Sequence, residues 1–423
     1  MAAAVKPYQI VVWGATGFTG RLVCEHIVHD YHGRIQWAMA GRDRRKLEGV
    51  RDSLCRINPA AKDVPILLAD ARDAVAVGNV VKQAQVVLST AGPFSEYGEA
   101  MVSQAVAHGT HYCDITGEIT WVKENIARHH KEAEAKGVKV VHCCGYDSSP
   151  SDLGTLMMVR HCAEKLGKKV AKVYTLVGET KGGFSGGTVA SAFSIATKVP
   201  AAELSRLGSN QYYLAEVYNP KTGSDRPAPF LPTFLPEPQV WAGPFIMEGC
   251  NAKVVQASNA LQPKGPYGTD FKYCEMLRTG SGWLGWGLAS AVTSGMALLG
   301  LGLALPPARW LLKQMLPSPG QGPSLELQRT GYWRHDLVAV TEEEGGRPGQ
   351  VVRGECGDKR DPGYWSTSRM LLEAGLALVL DAEAIQASGQ CRAGGVLTPA
   401  TAMGMVLVER LRAAGFTFRV LTP

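Results

Sequence analysis

The sequence predicts an α/β protein: a doubly wound parallel sheet followed by a second α+β domain built on a mixed sheet. Three observations predict it. The chain opens on an apolar strand that meets three spaced glycines and then a helical pattern. Strand and helix patterns alternate from there to Cys144, and beyond residue 150 the alternation gives way to proline-rich and uncharged stretches set among further strands.

Residues 8–20 end in Val12-Trp13-Gly14-Ala15-Thr16-Gly17-Phe18-Thr19-Gly20 and lead into the helical spacing Leu22, Val23, His26, Ile27. Such a turn binds a dinucleotide. Gly14 permits the tight exit from the strand, Gly17 lets backbone amides approach a pyrophosphate, and Gly20 lets the helix lie close to the sheet. Thr16, Phe18 and Thr19 share that turn and are expected to touch the cofactor. The phosphates would rest on the helix N-terminus, where free amides and the dipole favour negative charge. The spacing is G-x-x-G-x-x-G instead of the commoner G-x-G-x-x-G, and its place between first strand and first helix supports the Rossmann reading.

A site for NAD places Asp or Glu about 20 residues beyond the glycines to bind the ribose 2'-hydroxyl. Here the second strand, Ile35 to Ala40, runs into Gly41-Arg42-Asp43-Arg44-Arg45-Lys46. Arg42 stands where the carboxylate would be and Arg45 is near it, so a 2'-phosphate is the better guest and the expected cofactor is NADP(H). The alternative is that Arg44, Arg45 and Lys46 are the solvated first turn of a helix, although cations there oppose its dipole.

The next elements are a helix near Arg44 to Leu54, the strand Val64 to Ala69, a helix near Asp73 to Gln83 and the strand Val86 to Thr90. A helix near Gly98 to His108, the strand His111 to Ile115, a helix from about Trp121 to Lys136 and the strand Val138 to Cys144 complete the series. In such a sheet, ligands bind beyond the carboxyl ends of the strands. Asp70 then either meets the adenine or caps the next helix. Ala91, Gly92 and Pro93 would lie under the ribose and nicotinamide. Tyr112, Asp147 and Ser148 are the candidate proton donors, and Asp147 could donate only if burial raised its pKa. Ser151 and Asp152 serve equally well as helix caps.

The middle of the chain contributes Gly183-Phe184-Ser185-Gly186-Gly187, formally a G-x-S-x-G nucleophile elbow, so a serine hydrolase using Ser185 is a competing and weaker reading. Six prolines between Tyr218 and Pro238 predict an extended loop. A mixed sheet is expected from Ala252 to Ala257, Phe271 to Leu277, Leu337 to Thr341 and Val351 to Cys356, covered by helices near Tyr364 to Leu380 and Thr401 to Ala413.

At 423 residues, 45% hydrophobic and 19% charged, the chain can bury two domain cores. A net charge of +6 is too mild and scattered for a nucleic-acid partner. Ten cysteines with no C-x-x-C pair suit reduced thiols and the cytoplasmic face; no metal site and no signal peptide are expected. Thr279 to Ala308 is thirty residues without a formal charge, containing Trp283 and Trp286 and followed by Trp310 and Lys313. It is long enough to cross a bilayer. Seven glycines and the flanking sheet rank lipid-facing attachment first, a buried or homodimer-interface helix second and a true span last.

The opening Val12 to Gly20, Ala40-Gly41-Arg42, Tyr112 to Glu118, Gly145 to Gly154 and Gly394 to Gly404, followed by Arg410-Leu411 and Gly415, resemble the saccharopine dehydrogenase-like oxidoreductases, a group that includes the trans-acting enoyl reductases. The resemblance implies a split nucleotide domain: 1–150 binding the nucleotide, 151–393 substrate and dimerisation, and 394–423 returning to the first domain through a strand near Phe416 to Leu421. It also implies lipid-linked roles for some members and membrane or lipid-droplet association for others. The expected activity is NADPH-dependent reduction of a hydrophobic, lipid-linked C=C or C=O substrate. No Tyr-x-x-x-Lys pair occurs, which keeps a membrane- or lipid-droplet-associated NADP(H)-binding scaffold or sensor as the alternative.

Overall fold

The computed structural model describes residues 6–182, 199–219, 223–262, 267–305, 307–308, 314 and 322–421. Its first sheet takes β1 (Tyr8–Trp13), β2 (Trp37–Gly41), β3 (Ile66–Leu68), β4 (Ala84–Ser89), β5 (His111–Asp114) and β6 (Lys139–Val141) from the N-terminal part of the chain. Helices α1 (Phe18–Asp30), α2 (Arg44–Cys55), α3 (Ala74–Val81), α4 (Glu99–Ala107) and α5 (Ile119–Ala135) alternate with them. Ile10, Val11, Val12, Val86, Val87 and Leu88 are fully buried, because a parallel sheet with helices on both faces leaves neither side of a strand to solvent. With a late strand, β13 (Gly395–Leu397), at one edge, the order β13-β6-β5-β4-β1-β2-β3 puts the first crossover reversal between β1 and β4, the switch point where doubly wound sheets bind ligands.

The seventh strand of that sheet, β13 (Gly395–Leu397), comes from far along the chain and pairs parallel to β6, with Val396 opposite Val140. The return to the first sheet is thus made by Gly395–Leu397. The segment expected to make it, near Phe416 to Leu421, instead forms β14 (Thr417–Val420), an edge strand of the second sheet antiparallel to β12 (Val351–Asp358). Phe416 and Phe418 bury their rings in the core that the two domains share, and that burial fixes where the strand lies.

Helix α6 (Ser149–Leu166) leads from the first sheet to the second, whose order is β14-β12-β11-β7-β10-β9-β8. The remaining strands are β7 (Val170–Lys181), β8 (Thr233–Leu235), β9 (Val240–Pro244), β10 (Tyr267–Gly280) and β11 (Tyr332–Thr341). Among the described residues only β7 and β10 pair parallel, which makes the sheet mixed. Central β7 has no counterpart among the expected strands, although its Val, Tyr and Thr content suits a strand. Ala252 to Ala257, expected as a strand, lies inside helix α7 (Glu248–Leu261). A short run buried on every side carries no period to separate strand from helix, and α7 is buried on nearly all of its faces. Part of the proline-rich stretch forms the β8–β9 hairpin.

Gly282–Ala304 forms one helix, α8, which docks on β9 by a narrow stripe. Ala289 is fully buried, and the backbone of Gly243 comes so close to Val292 that an added Cβ would sit 3.0 Å from it. Most of the rest of α8 faces outward: Trp283, Leu284, Trp286, Leu288, Leu298 and Leu301 are exposed, Trp283 by 79%. It is the one helix among the described residues long and apolar enough to cross a membrane, by length and composition only. Trp310, Lys313 and the Ser185 loop lie outside the described residues. Helices α9 (Thr367–Leu380) and α10 (Gly404–Ala413) pack between the domains.

Candidate functional site

The glycine turn has the geometry that a pyrophosphate requires. Gly14 sits at φ +82°, a region that costs other residues strain, and a Cβ on Gly20 would lie 2.3 Å from the Gly14 carbonyl oxygen. The close approach of α1 to the β1 exit therefore requires glycine at position 20. Gly17 is the N-cap of α1, has no side-chain capping bond, and the first turn carries no acid. Its amides are left for an anion. Thr16, Phe18 and Thr19 are half-buried at this mouth. Phe18 packs edge-on against Tyr364 at 5.1 Å and lies beneath Gly322, so the second domain reaches over the turn.

At the end of β2, Arg42 and Arg45 are exposed and engage no partner among the described residues, whereas Arg44 faces Glu48 at 3.8 Å. Asp43, the nearest acid, accepts from the amide of Lys46 at 3.1 Å and so caps α2. Two free guanidiniums and an engaged carboxylate suit a 2'-phosphate better than a 2'-hydroxyl. Asp70 accepts from the amide of Arg72 at 3.0 Å, and the cap of α3 is made by Asp73. The capping role offered for Asp70 is therefore wrong: the cap falls three residues later, at Asp73, which reaches two amides of the helix.

The turn after β4 is built from Thr90, Ala91 and a cis Gly92–Pro93 bond, with Gly92 exposed. Thr90 donates to the Trp13 carbonyl at 3.0 Å, and both carboxylate oxygens of Glu118 accept from the next turn, from Phe94 N at 2.8 Å and Ser95 N at 3.0 Å. Ala91, Gly92 and Pro93 thus border the switch point on a turn fixed from two sides.

The three expected proton donors separate. Tyr112 is fully buried, edge-on to His142 at 5.9 Å, and its hydroxyl faces the core without a partner. A substrate cannot touch it. Strand alternation is the reason, since Tyr112 points with Asp114 into the layer under α5. Ser148 is also buried, and its hydroxyl donates to Asn251 Oδ1 at 2.8 Å, a tie between the domains. Asp147 is half-buried, and burial pushes its carboxyl up to about 6. Of the three it alone stands at the cleft with the raised value a donor requires. Ser151 and Asp152 are not caps either. Ser151 donates to Glu275 Oε1 at 3.0 Å, and Asp152 accepts from the Ala400 amide at 2.8 Å and from the Ser258 hydroxyl.

Three residues not singled out in sequence stand at the cleft or behind it: Tyr146, His335 and Glu275. The hydroxyl of Tyr146 lies 3.0 Å from Nε2 of His335 in β11, and the Tyr146 amide donates to Thr367 Oγ1 at 3.1 Å. Glu275, fully buried in β10, accepts from Ser151, from Asn251 at 3.2 Å and from Tyr273 at 3.1 Å, and burial raises its carboxyl to about 8. The visible signal was position: Tyr146 directly precedes Asp147, and His335 falls on the inward alternation Trp333, His335, Leu337, Ala339.

A family model described as the saccharopine dehydrogenase NADP binding domain matches residues 10–141. The chain is 36% identical, over 99% of its length and of the relative's, to a Mycobacterium tuberculosis protein whose name places it among the trans-acting enoyl reductases. It is 34% identical, over 98% of both, to a trans-acting enoyl reductase of Mycobacterium bovis. Among solved structures, saccharopine dehydrogenase (L-Glu forming) from Saccharomyces cerevisiae is similar over 98% of this chain and 100% of that one, at 13% identity and a TM-score of 0.49.

Proposed function

The chain belongs to the trans-acting enoyl reductase family of saccharopine dehydrogenase-like oxidoreductases, an NADP-dependent group, and on that premise we propose that it reduces a hydrophobic, lipid-linked C=C or C=O substrate with NADPH. The observation that carries the cofactor half is the uncapped start of α1 together with two exposed guanidiniums at the end of β2, Arg42 and Arg45, that engage no partner among the described residues. When bound, NADPH supplies the hydride. The protein's part is to hold the pyrophosphate on the α1 amides and the 2'-phosphate on Arg42 and Arg45, to border the reacting end with the Ala91-Gly92-Pro93 turn, and to exclude water beneath the second domain.

Support for a lipid-like substrate comes from α8, whose exposed tryptophans and leucines suit a lipid surface and not water. In this reading α8 lies along a membrane or lipid droplet and the stripe at Ala289 and Val292 ties it to β9. Docking along that stripe argues against a full span, since a spanning helix would have to carry the sheet edge into the bilayer with it.

Purified protein, loaded with NADPH and incubated with a lipid extract, should oxidise the cofactor and yield a product two mass units heavier than a lipid consumed. Binding without oxidation would favour the scaffold reading. Flotation with phosphatidylcholine vesicles tests the surface: Leu298→Lys with Leu301→Lys should release a protein that still unfolds at the parent temperature. A parent that stays soluble as a dimer, and whose dimer the double variant breaks, would replace the lipid surface with a second copy of the chain.

A further inference from the structure

Reduction of a carbonyl, or of a C=C conjugated with one, places the developing negative charge on one atom, the carbonyl oxygen. A site for either reaction needs a hydrogen-bond donor aimed at that oxygen. Tyr112 is buried in the core and Ser148 is bound to Asn251, which leaves Asp147 and its neighbour Tyr146 to supply that donor.

Tyr146 meets the requirement. It is half-buried just beyond the carboxyl end of β6, with its amide fixed to Thr367 and its ring edge-on to Trp333 at 4.9 Å and to His335 at 5.6 Å. The Thr180 hydroxyl, on the exposed end of β7, lies beside its phenol. His335 is buried, and desolvation pushes its pKa down to about 3, so the imidazole is neutral. Its Nδ1 is buried with no partner. A neutral imidazole has one N–H, and an orphaned buried donor is rarer than an orphaned acceptor, which puts the proton on Nε2. Nε2–H then donates to the phenol oxygen, which leaves the phenol hydrogen on the side of the exposed Thr180 hydroxyl.

We propose that Tyr146 is the catalytic acid that donates its phenol hydrogen to the substrate carbonyl oxygen, and that His335 is a positioning residue that holds the phenol and stabilises the phenolate it leaves. The proposal rests on the oxidoreductase reading above. After hydride addition the substrate holds an excess electron pair on oxygen. The Tyr146 O–H bond breaks, a substrate O–H bond forms, and the phenolate keeps the bond from Nε2 until it takes a proton from water. A reduced carbonyl is then an alcohol. A reduced enoyl group is an enol, which returns its oxygen proton to water as Cα gains one. In both cases one hydride and one proton are added.

Two probes test this. Turnover is read with trans-2-hexadecenoyl-CoA and with hexadecanal; contact with the oxygen is read by isotope-edited infrared difference spectra of 1-13C-hexadecanoyl-CoA bound with NADP+. Tyr146→Phe keeps the ring packing, and it should lower kcat by roughly 100-fold or more at unchanged NADPH affinity and unfolding temperature. The bound carbonyl band, displaced to lower frequency in the parent, should return toward its free position in Tyr146→Phe. His335→Leu should lower kcat less, and His335→Gln, which restores an N–H, should recover part of the loss. A parent carbonyl band at its free position, or a displaced band that survives in Tyr146→Phe, overturns the proposal whatever the turnover. A displaced band lost in Tyr146→Phe, in a parent that oxidises NADPH with neither probe, upholds the contact and defeats the reduction reading instead.

Discussion

Glu118 Oε1 accepts from the backbone amide of Phe94 at 2.8 Å, so the loop after β5 holds the turn after β4 through a buried carboxylate. Its second oxygen holds Ser95. Glu118→Gln turns one acceptor into a donor facing an amide. Stability should fall by about 1–3 kcal/mol in urea denaturation, the scale of a bond to a charged group left unmade. NADPH affinity should fall with it, because Ala91 to Pro93 lead directly into that turn. A variant of parental stability and affinity would make the carboxylate dispensable.

Arg42→Ala should weaken NADPH binding by roughly 1–3 kcal/mol and leave NADH nearly unchanged, since only NADPH carries the 2'-phosphate. Calorimetry with both nucleotides decides it. Equal losses would assign Arg42 to the fold.

Position 20 should be less tolerant than position 17. A Cβ on Gly17 would stand 3.2 Å from the Gly14 carbonyl oxygen, a distance a small shift relieves, whereas on Gly20 it would meet the same atom at 2.3 Å. Gly20→Ala should lower the unfolding temperature and abolish NADPH binding. Gly17→Ala should remain folded, and Gly17→Val should block the pyrophosphate without unfolding the protein. Thermal unfolding paired with calorimetry on the three variants checks the order.

Stability should fall as pH rises through neutrality. Burial raises Glu275 to about 8 and Asp152 to about 7, and the charge of Glu248 adds to the effect on Glu275. Both folded values exceed the unfolded ones, which are about 4. The stabilisation is thus fully present below about pH 4 and is lost as pH climbs through the folded values. The loss amounts to about 1.4 kcal/mol for every pH unit that separates a group's folded pKa from its unfolded one. Glu275→Gln should flatten the decline between about pH 5 and pH 8.5, measured as the denaturant midpoint. An unchanged slope would mean that Glu275 is already ionised in the fold.

The parts of the fold legible in sequence were those written in local pattern. The Gly14, Gly17 and Gly20 spacing, the strand and helix series up to β6, and Arg42 in place of a ribose acid each need only neighbours within some twenty residues. What escaped depends on distant partners. Val254 and Val255 read as strand until the surrounding domain buries their helix on every side. Phe416 and Phe418 give no local sign of which sheet they will edge. Tyr146 and His335 are far apart in the chain and meet only because the segment that leaves β6 passes the start of β11. Tyr112 looked like a donor at a strand end, yet its side of the pleat decided the matter.

The pairing of β13 with β6 also sets a schedule for biosynthesis. A ribosome that has delivered residues 6–141 has supplied every other strand of the first sheet, but the open edge of β6 waits for Gly395–Leu397, roughly 250 residues later. At ordinary elongation rates that interval is on the order of 10 to 50 s. A parallel edge left open for so long is a template for wrong strand addition. The nascent chain should therefore be a chaperone client until its last strands emerge, and a transcript stalled before codon 395 should yield an aggregating nucleotide domain, not a free-standing one.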